Sequence, residues 1–462
     1  MRETATALAA HTRPGVSDLV ELATKLASAA RHGEQLEVYV SRASETDVRA
    51  YEGEVESLSS ASSAGVGIRV ISSGRQGFAY AGSLDEGVVA ETLAEARDNV
   101  GFATADPHVA LAEPDGVAPA SLEVWDEAVV HLPTADKVKL ALELERLTRA
   151  ADGRVRQVSS ADYGDLAAEA AIATSTGIVA SSRRTVCSVG TEAIAGEGAD
   201  SQSGYGFSAA RAPSELDLDK AATDAAQRAV RMLGAAKTKS GRFVVVFDPR
   251  VASTLLAIVS SALSGEAVTK GRSMFAGRIG EAVGASSITV VDDPTDPRAF
   301  GASAYDAEGL ACRRNVLIDA GVLRGFVYDS TSARRAGTVT TASGVRGGYA
   351  TTPGAGCRAL LLSPGTLDAD EVLAAVAEGI YVQSVTGVHS GVNPVSGDFS
   401  VGAEGLMVRG GVLAEPVREV TIASTLQRML QSVVHVGADV EWLPGVAAGQ
   451  TLAIEGMSLS GT

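Results

Sequence analysis

The residues with the clearest chemical potential lie in one glycine-rich stretch near the C-terminal end. His389 and Ser390 are adjacent there and Asp398 follows, so the three residue types of a serine hydrolase occur close together. A serine nucleophile needs a base within hydrogen-bond distance and a third group that orients the base. Neighbouring side chains on an extended backbone point in opposite directions, so His389 would not readily activate Ser390. A serine hydrolase built on these residues is therefore the least favoured of the three functions that we consider for this chain.

The same stretch, residues 387–402, is predicted to form a long shaped loop. Its glycines and its proline both oppose a helix, and glycine permits a close approach of backbone to a ligand. Its short polar side chains can donate and accept hydrogen bonds. We therefore interpret the loop as a substrate or partner surface without a catalytic residue. The residues predicted to form that surface are His389, Ser390, Asn393, Gly397, Asp398 and Phe399.

Elsewhere the sequence offers weaker candidates for chemistry. None of the six histidines precedes a glutamate, so the HExxH zinc-protease signature is absent, as are a GxSxG elbow and a Walker A motif. The acidic run at residues 292–297 is either a cation site or a turn whose aspartates bond their own backbone, and its prolines favour the turn. Asp306 and Glu308 are either paired carboxylates or part of another polar turn.

Composition narrows the classes of function. The 462 residues carry a formal charge of −17, and a field of that sign repels phosphate backbones, so no nucleic-acid partner is expected. Three dispersed cysteines predict neither a disulfide framework nor a structural zinc site. No stretch approaches the ~20 apolar residues of a membrane span, and the N-terminus lacks a signal-peptide pattern. We predict a soluble, cytoplasmic protein with no membrane partner.

The elements that position these residues fall into two predicted domains, 1–238 and 239–462. In the first, a polar tail at residues 1–14 precedes a helix, an antiparallel meander and a second helix, and the same order then recurs. Both meanders close on a glycine beside aromatic residues, at Gly77 and Gly206. The pattern predicts a pseudo-duplicated antiparallel sheet with helices. The strands predicted in the first meander are residues 36–40, 47–51, 55–60, 65–71 and 77–81.

The second predicted domain begins with a short apolar strand at residues 243–247. Asp248 and Pro249 follow as an N-cap and a proline at the first helical position, which is a strong helix start. The chain is thus predicted to have an α+β fold whose C-terminal domain is mainly antiparallel β with a few helices. The remaining predicted elements are strands at 288–291, 302–306, 315–319, 324–328 and 358–362, and helices at 368–377 and 425–434.

Long blocks of this sequence resemble the TldD/PmbA family. They include residues 306–334, with Asn-Val-Leu-Ile-Asp-Ala-Gly at the centre, and residues 387–400, Gly-Val-His-Ser-Gly-Val-Asn-Pro-Val-Ser-Gly-Asp-Phe-Ser. Residues 65–80 fit as well, as does Val-Gly-Ala-Asp at residues 436–439. The resemblance covers nearly the whole chain, which within the family looks like the PmbA (TldE) branch.

The resemblance implies where a metal lies in TldD, the catalytic subunit of this family. That subunit carries zinc ligands on an HExxxH helix and on a later cysteine. Matching the two helices through residues 271–275 places Leu256 and Ser261 at the histidines and Ala257 at the glutamate. None of these side chains can replace an imidazole ligand or a general base, and no cysteine follows Cys357. The chain is therefore expected to bind no metal or other cofactor and to hold no catalytic residue.

The resemblance also implies partners. TldE-type chains pair with TldD-type subunits, which hold the zinc, and the complexes act on small or unfolded peptides. Members are linked with maturation of a peptide antibiotic and breakdown of an antitoxin, and are historically described as modulators of DNA gyrase. We therefore expect a non-catalytic subunit of a TldD/TldE-type zinc metallopeptidase with a peptide substrate. The alternatives are a free-standing peptide-binding scaffold homodimer and, less favoured, an autonomous hydrolase using His389 and Ser390.

Overall fold

A computed structural model describes residues 16–462, so the tail predicted at residues 1–14 lies outside the described residues. Up to about residue 230, helices and strands follow in the order expected of a repeated unit. They are α1 (Ser17–Ala27), β1 (Glu34–Tyr51), β2 (Glu54–Ser72), β3 (Arg75–Ala81), α2 (Glu86–Val100), α3 (Glu127–His131), α4 (Thr134–Ala151), β4 (Val155–Thr174), β5 (Val179–Ala195), β6 (Gln202–Ala210) and α5 (Leu218–Val230).

The strands β1 to β6 form one antiparallel sheet with mirrored halves. Their order is β3-β2-β1-β4-β5-β6, so the first strand of each repeat lies at the centre and the later strands extend outwards. At the two ends of the central ladder, Glu37 pairs with Thr174 and Ala50 pairs with Ala161. The predicted pseudo-duplicated antiparallel sheet is confirmed.

This sheet has two different faces because successive side chains of a strand alternate in direction. Val38 and Val48 of β1 belong to two apolar clusters in which α1, α2, α4 and α5 cover one face. Glu37 and Tyr39 point the other way, towards Arg346 in the second half of the chain. All four long helices of the first half therefore share one face, which leaves the other face for the second half.

Close helix contacts explain the glycines that end each meander. A Cβ atom on Gly77 of β3 would lie 2.0 Å from the carbonyl oxygen of Ala96 in α2, and one on Gly206 of β6 would lie 1.9 Å from that of Ala221 in α5. Each edge strand therefore lies with its backbone directly on a helix. By strand register the residue of β6 that corresponds to Gly77 is Gly204, where a Cβ atom would lie 2.3 Å from the carbonyl oxygen of Ala225 in α5.

The second half of the chain contains one long helix, several short ones and two further sheets of more than two strands. Its elements are β7 (Gly241–Phe247), α6 (Pro249–Ala262), α7 (Gly265–Thr269), β8 (Val290–Asp292), β9 (Asn315–Asp319), β10 (Val322–Leu323), α8 (Ser330–Ala336), β11 (Gly344–Val345), β12 (Gly354–Ala355), β13 (Leu360–Leu362), α9 (Ala369–Ala374), β14 (Glu378–Thr386), α10 (Val388–Gly391), β15 (Asp398–Arg409), β16 (Val412–Thr425), α11 (Leu426–Gln431), β17 (Val433–Val436) and β18 (Leu452–Ser460).

The larger of these two sheets closes on itself. Its order is β16-β15-β14-β7-β18-β17, and β16 also pairs with β18. Only β7 and β14 run parallel; the other pairings are antiparallel. Val245, Phe247 and Leu256 belong to the main core, which joins this sheet to α6. The predicted α+β class with an antiparallel second half is confirmed, and no helix among residues 16–462 is long and apolar enough to cross a membrane.

Local signals located some elements well and others poorly. The strand at 315–319 is β9, and the Asp248 carboxylate accepts the Arg250 N–H (3.1 Å) to cap α6 as predicted. Residues 36–51 and 55–71 were predicted as two strands each, but they lie in the single long strands β1 and β2. The strand predicted at 302–306 is wrong, because that segment forms a turn around the Asp306 carboxylate.

A buried ionic cluster links the two halves. The Glu37 carboxylate of β1 contacts Arg69 of β2 (2.5 Å) and Arg346 from the second half (2.8 Å), and none of the three side chains is more than 3% exposed. Burial alone would raise the pKa of Glu37, but the two guanidinium charges outweigh burial and hold that pKa below its usual value. The cluster therefore contains a paired, charged carboxylate.

Candidate functional site

The segment predicted as a loop, residues 387–402, begins with one short helical turn, and the prediction is wrong for residues 398–402, which belong to β15. Gly387, with a φ of 75°, precedes α10, which carries His389 and Ser390. Both side chains are exposed, and the Ser390 hydroxyl donates to the Gly387 carbonyl (3.2 Å). Because the backbone is helical here, the sequence argument from an extended backbone does not apply. The Ser390 hydroxyl is instead bonded to its own turn.

The polar side chains in the rest of the loop bond to the loop itself. Asn393 Oδ1 accepts the backbone N–H groups of Val395 (2.9 Å) and Ser396 (3.2 Å), and the Ser396 hydroxyl donates to Asp398 (2.7 Å). In the described part of the chain, no hydrogen bond connects Asp398 with His389. The three groups of a hydrolase are therefore not assembled within residues 16–462.

Gly397 and Phe399 attach the loop to the core. Phe399 is 4% exposed and packs in the main apolar cluster. Gly397 has a φ of 86°, and a Cβ atom there would overlap the side-chain amide of Gln427 in α11 (2.0 Å). The same amide donates to the Ser396 carbonyl (3.0 Å). The loop is thus held in one shape, and its role as a substrate or partner surface stays a prediction.

Helix α6 carries the three positions that the family resemblance relates to zinc. Leu256 is buried in the main core, Ala257 is half-buried, and Ser261 is exposed and donates to the Ile258 carbonyl (2.7 Å). These side chains do not fit a zinc ion, which needs nitrogen, sulfur or carboxylate ligands. Within residues 16–462, no group of three or more His, Cys, Asp or Glu side chains is placed to hold a metal.

A cleft of about 660 Å³ lies between the β1–β6 sheet, on the face that carries no helices of the first half, and the first turns of α6. Sequence reasoning named none of its residues as site residues, because they come from five strands of the first sheet, from α6 and from residues 443–444. The available signal was the alternation of aromatic side chains around Gly206, which places both aromatics on one face of β6. The main polar and aromatic lining residues are Asp47, Arg49, Asp162, Ser188, Tyr205, Phe207, Arg250, Ser253 and Thr254.

Aromatic and charged groups lie side by side in this cleft. Tyr205 and Phe207 are stacked with ring centroids 6.1 Å apart. The Arg250 guanidinium lies 4.6 Å from the Phe207 centroid and donates to the Tyr205 carbonyl (2.7 Å). Arg49 and Asp162 form an ion pair (2.7 Å) across β1 and β4. Rigid aromatic faces beside fixed polar groups are typical of sites that bind organic ligands.

The hydroxyl groups in the α6 wall of the cleft are already bonded. Ser253 donates to the Ala447 carbonyl (2.8 Å), and Thr254 donates to the Arg250 carbonyl (3.0 Å). No histidine is among the described residues that line the cleft. Since a hydroxyl nucleophile requires an adjacent base, the arrangement supports binding rather than covalent catalysis.

The acidic run at residues 292–297 has the geometry of turns. Asp293 accepts the N–H of Thr295 (3.1 Å), and Asp296 accepts that of Arg298 (3.0 Å), which confirms the turn interpretation for both aspartates. Asp292 is buried and accepts two successive backbone N–H groups (2.9 and 2.8 Å). These carboxylates shape the chain locally.

Asp306 and Glu308 form a buried pair of carboxylates. Asp306 accepts three backbone N–H groups, including that of Gly344 (2.9 Å), and therefore organises a polar turn. Glu308 accepts the Ser330 N–H (2.7 Å). Burial, together with the negative charge of Asp306, raises the pKa of Glu308 to about 7, although the nearby Arg69 charge opposes the shift. Both alternatives from the sequence hold here, since the residues are a pair within a turn.

Titration of Glu308 predicts a pH-dependent stability. Folding raises the pKa of Glu308 from 4.5 to about 7, so the folded chain retains a proton that the unfolded chain releases between these values. The free energy of unfolding is expected to fall as the pH rises through that window, by on the order of 3 kcal/mol from this group. Denaturant unfolding of the wild type and of Glu308→Gln, which cannot titrate, measures this. Equal pH slopes in the two proteins would contradict the prediction.

Sequence profiles of one family match most of the chain. They are described as PmbA/TldA metallopeptidase domain 1, central domain and C-terminal domain, and they match residues 36–100, 128–233 and 240–461 respectively. The first two matches lie in the β1–β6 sheet and its helices. The third match covers the closed sheet and α6.

Individual relatives agree with the profiles. The metalloprotease PmbA of Escherichia coli is 27% identical over 449 residues, which cover 96% of each chain. A solved structure of a candidate DNA gyrase modulator from Thermotoga maritima has a TM-score of 0.87 at 24% identity and covers 96% of this chain and 99% of that one. TldE from Thermococcus kodakarensis has a TM-score of 0.85 at 23% identity, with 92% and 97% covered. The two structures show that the fold is shared. Because the family profiles match most of its residues, this chain belongs to the PmbA/TldD family of metallopeptidases.

Proposed function

We propose that this chain is the non-catalytic, TldE-like subunit of a zinc metallopeptidase complex that cleaves small or unfolded peptides. The observation that carries the proposal is the composition of α6, where the family resemblance relates Leu256 and Ser261 to two zinc ligands and Ala257 to a general base. A leucine packed in the core and an alanine methyl group can neither coordinate zinc nor accept a proton. Zinc is expected in a TldD-type partner, and no cofactor is expected on this chain. The metalloprotease names of the relatives support the reaction class.

Two surfaces of this chain are suited to bind a peptide or a partner subunit. The cleft beside α6 offers aromatic faces and fixed charges to a peptide. The outer edge of β2 over residues 54–63 has no paired strand among the described residues, because β3 pairs only with residues 66–72. An extended segment can pair with such an edge through main-chain hydrogen bonds. Val55 and Leu58 are exposed on that edge, 40% and 44% respectively.

Mixing this chain with a TldD-type protein from the same genome is expected to produce peptide cleavage that neither protein shows alone. The expected zinc content of the purified chain is zero, while the partner carries one ion per active site, and elemental analysis of each measures this. The two proteins should also elute together in size-exclusion chromatography. Stoichiometric zinc in this chain, or cleavage by this chain alone, would contradict the proposal.

The same samples separate the alternatives. If the chain elutes as a homodimer, ignores the TldD-type protein and still binds peptides, the free-standing scaffold is correct. If the isolated chain cleaves peptides and His389→Ala abolishes that cleavage, the autonomous hydrolase is correct. A mixture in which only the partner's zinc site is needed, and in which this chain changes neither rate nor substrate range, would also remove the proposed subunit role.

A further inference from the structure

An exposed arginine stands at one end of the cleft described above. Arg184 of β5 lines a branch of about 410 Å³ that shares Asp47, Gly164 and Ser188 with the main cleft, so the two spaces are continuous. Arg184 lies on the same face of β5 as Ser188, since the two residues are an even number of positions apart. The ring of Phe300 lines the branch beside it. The Arg184 side chain is therefore accessible to a ligand in the cleft.

Two further guanidinium groups lie close to this position. Arg211 stacks at 5.7 Å from the Phe300 centroid and donates to the Ala299 carbonyl (2.5 Å). Arg358 is half-buried and donates to the Gly344 carbonyl (3.3 Å), while its Nε has no hydrogen-bond partner among the described residues. Both side chains are held by backbone carbonyls, and neither forms an ion pair among the described residues. The charge of Arg358 nevertheless opposes the rise that burial causes in the pKa of the Asp292 and Asp306 carboxyls.

The three charges repel one another. The Arg184 side chain is open to solvent, but the protein around its guanidinium group still displaces part of the water, and this desolvation and the charge of Arg358 lower the pKa of Arg184. Burial and the charge of Arg184 lower the pKa of Arg211. Within residues 16–462, no carboxylate lies at ion-pair distance from any of the three; Glu215 acts on Arg211 only from farther away. Because the chain as a whole carries a charge of −17, three neighbouring guanidinium groups without an ion-pair partner among residues 16–462 stand out against their surroundings.

The acidic residues of the cleft lie away from this cluster. Asp47 pairs in register with Gly164, which pairs with Ser188, and Arg184 lies four residues further along β5. At ~3.3 Å per residue, that separation is about 13 Å, the length of roughly four residues of extended peptide. Asp165 is neutralised by Lys137 (2.5 Å). The Arg184 end of the cleft is therefore cationic, whereas Asp47 and Asp162 at the other end are balanced by Arg49 and Arg250.

We propose that Arg184, flanked by Arg211 and Arg358, binds a carboxylate group of a peptide that lies along the cleft. Guanidinium groups bind carboxylates through paired, charge-assisted hydrogen bonds, and such bonds are strongest where water is partly excluded. The carboxylate belongs either to the C-terminus of the peptide or to a glutamate side chain. The proposal rests on the proposed role in peptide handling and adds to it a preference for anionic peptide groups.

Three related peptides test the proposal with the full chain alone. They are fluorescently labelled Ala-Phe-Val-Glu-Ala-Leu with a free C-terminus, the same peptide as its C-terminal amide, and the free-acid peptide with glutamine in place of glutamate. The variant Arg184→Met removes the charge and keeps the length of the side chain. Its affinity for the preferred peptide is expected to be about 10- to 100-fold weaker than that of the wild type. Fluorescence anisotropy measures all six dissociation constants.

The control variant is Arg183→Met, which changes the neighbouring residue on the opposite face of β5. Arg183 contacts Glu127 (3.6 Å) and the ring of Trp125, outside the cleft, so peptide affinity should not change. Weaker binding of the amide by the wild type assigns the C-terminal carboxylate, and weaker binding of the glutamine peptide assigns the side chain. Equal affinities for all three peptides, equal affinities of wild type and Arg184→Met, or no binding by the folded chain would overturn the proposal.

The outcome is separable from that of the proposed function. Peptide binding is measured without a partner, so carboxylate-dependent binding can persist even if no TldD-type protein activates cleavage. Conversely, a mixture that cleaves all three peptides equally well, with Arg184→Met as active as the wild type, retains the subunit role and removes the carboxylate site. Arg184→Lys, which keeps the charge but loses the planar fork, should bind with an intermediate affinity.

Discussion

Replacing Gly206 with valine is expected to lower the free energy of unfolding by about 3 kcal/mol or more. A Cβ atom at this position would lie 1.9 Å from the carbonyl oxygen of Ala221 and 2.7 Å from the backbone nitrogen of Ala225. Both atoms belong to the backbone of α5, so no side chain can rotate aside to make room. The helix must move off β6, which opens the apolar cluster beneath it. Denaturant unfolding of the purified variant measures the loss.

Gly87→Ala is the matched control for this substitution. Gly87 lies in α2, and a Cβ atom there meets nothing within 4 Å. Because alanine is a better helix former than glycine, this variant should be as stable as the wild type or more stable, by up to about 1 kcal/mol. A Gly206→Val protein that unfolds at the denaturant concentration of the wild type would show that the backbone of β6 does not lie against α5 in solution.

The second large effect is expected from Arg69→Met, with a loss of about 3–5 kcal/mol at neutral pH. Arg69 pairs with Glu37 inside the cluster that joins the two halves, and its removal leaves a buried carboxylate with only Arg346 to balance it. The pKa of Glu37 is held low by these charges, so the stability it contributes is present at neutral pH and is lost as the pH falls through that pKa. The loss caused by Arg69→Met should therefore be smaller in acid. Chemical unfolding of the wild type and of Arg69→Met, at neutral and at acidic pH, measures the difference.

Two further variants serve as controls for the Arg69→Met prediction. Lys25 pairs with Glu86 on the surface, where both side chains are largely exposed, and Lys25→Ala should leave stability unchanged. The combined replacement of Glu37, Arg69 and Arg346 by apolar residues removes all three charges together and should recover much of the stability lost in the single variant. An Arg69→Met protein as stable as the wild type would show that the ionic cluster does not stabilise the contact between the halves.

The sequence predicted those elements whose signals are local. Asp248 and Pro249 define the start of α6 because a cap and a proline act within one turn. Strand lengths were less accessible, because the serine- and glycine-rich residues of β2 suggested breaks. Pairing with β1 along nearly its whole length supplies hydrogen bonds that a single strand does not encode. The 302–306 error has a similar origin, since Asp306 bonds backbone groups that include one nearly forty residues away.

The candidate site was harder to predict from the sequence than the fold. The polar groups near His389 are adjacent in sequence and attracted attention, yet their hydrogen bonds stabilise their own loop. The cleft was missed because Asp47, Tyr205 and Arg250 are brought together by register and by the packing of the two halves. The pseudo-duplicated sheet was predicted, but the common face of the two aromatics beside Gly206 was not, although strand alternation implies it.

The closed sheet has a consequence for the order in which the chain can fold during its synthesis. The neighbours of β7 are β14 and β18, and β18 follows β7 by about 200 residues, or roughly 10–40 s at a ribosomal rate of about 5–20 residues per second. All six strands of the first sheet have left the ribosome by then. Nascent chains arrested before β18 should therefore protect the first sheet from protease while β7 and α6 remain cleavable. A chaperone that shields exposed apolar strands would find its substrate in that interval.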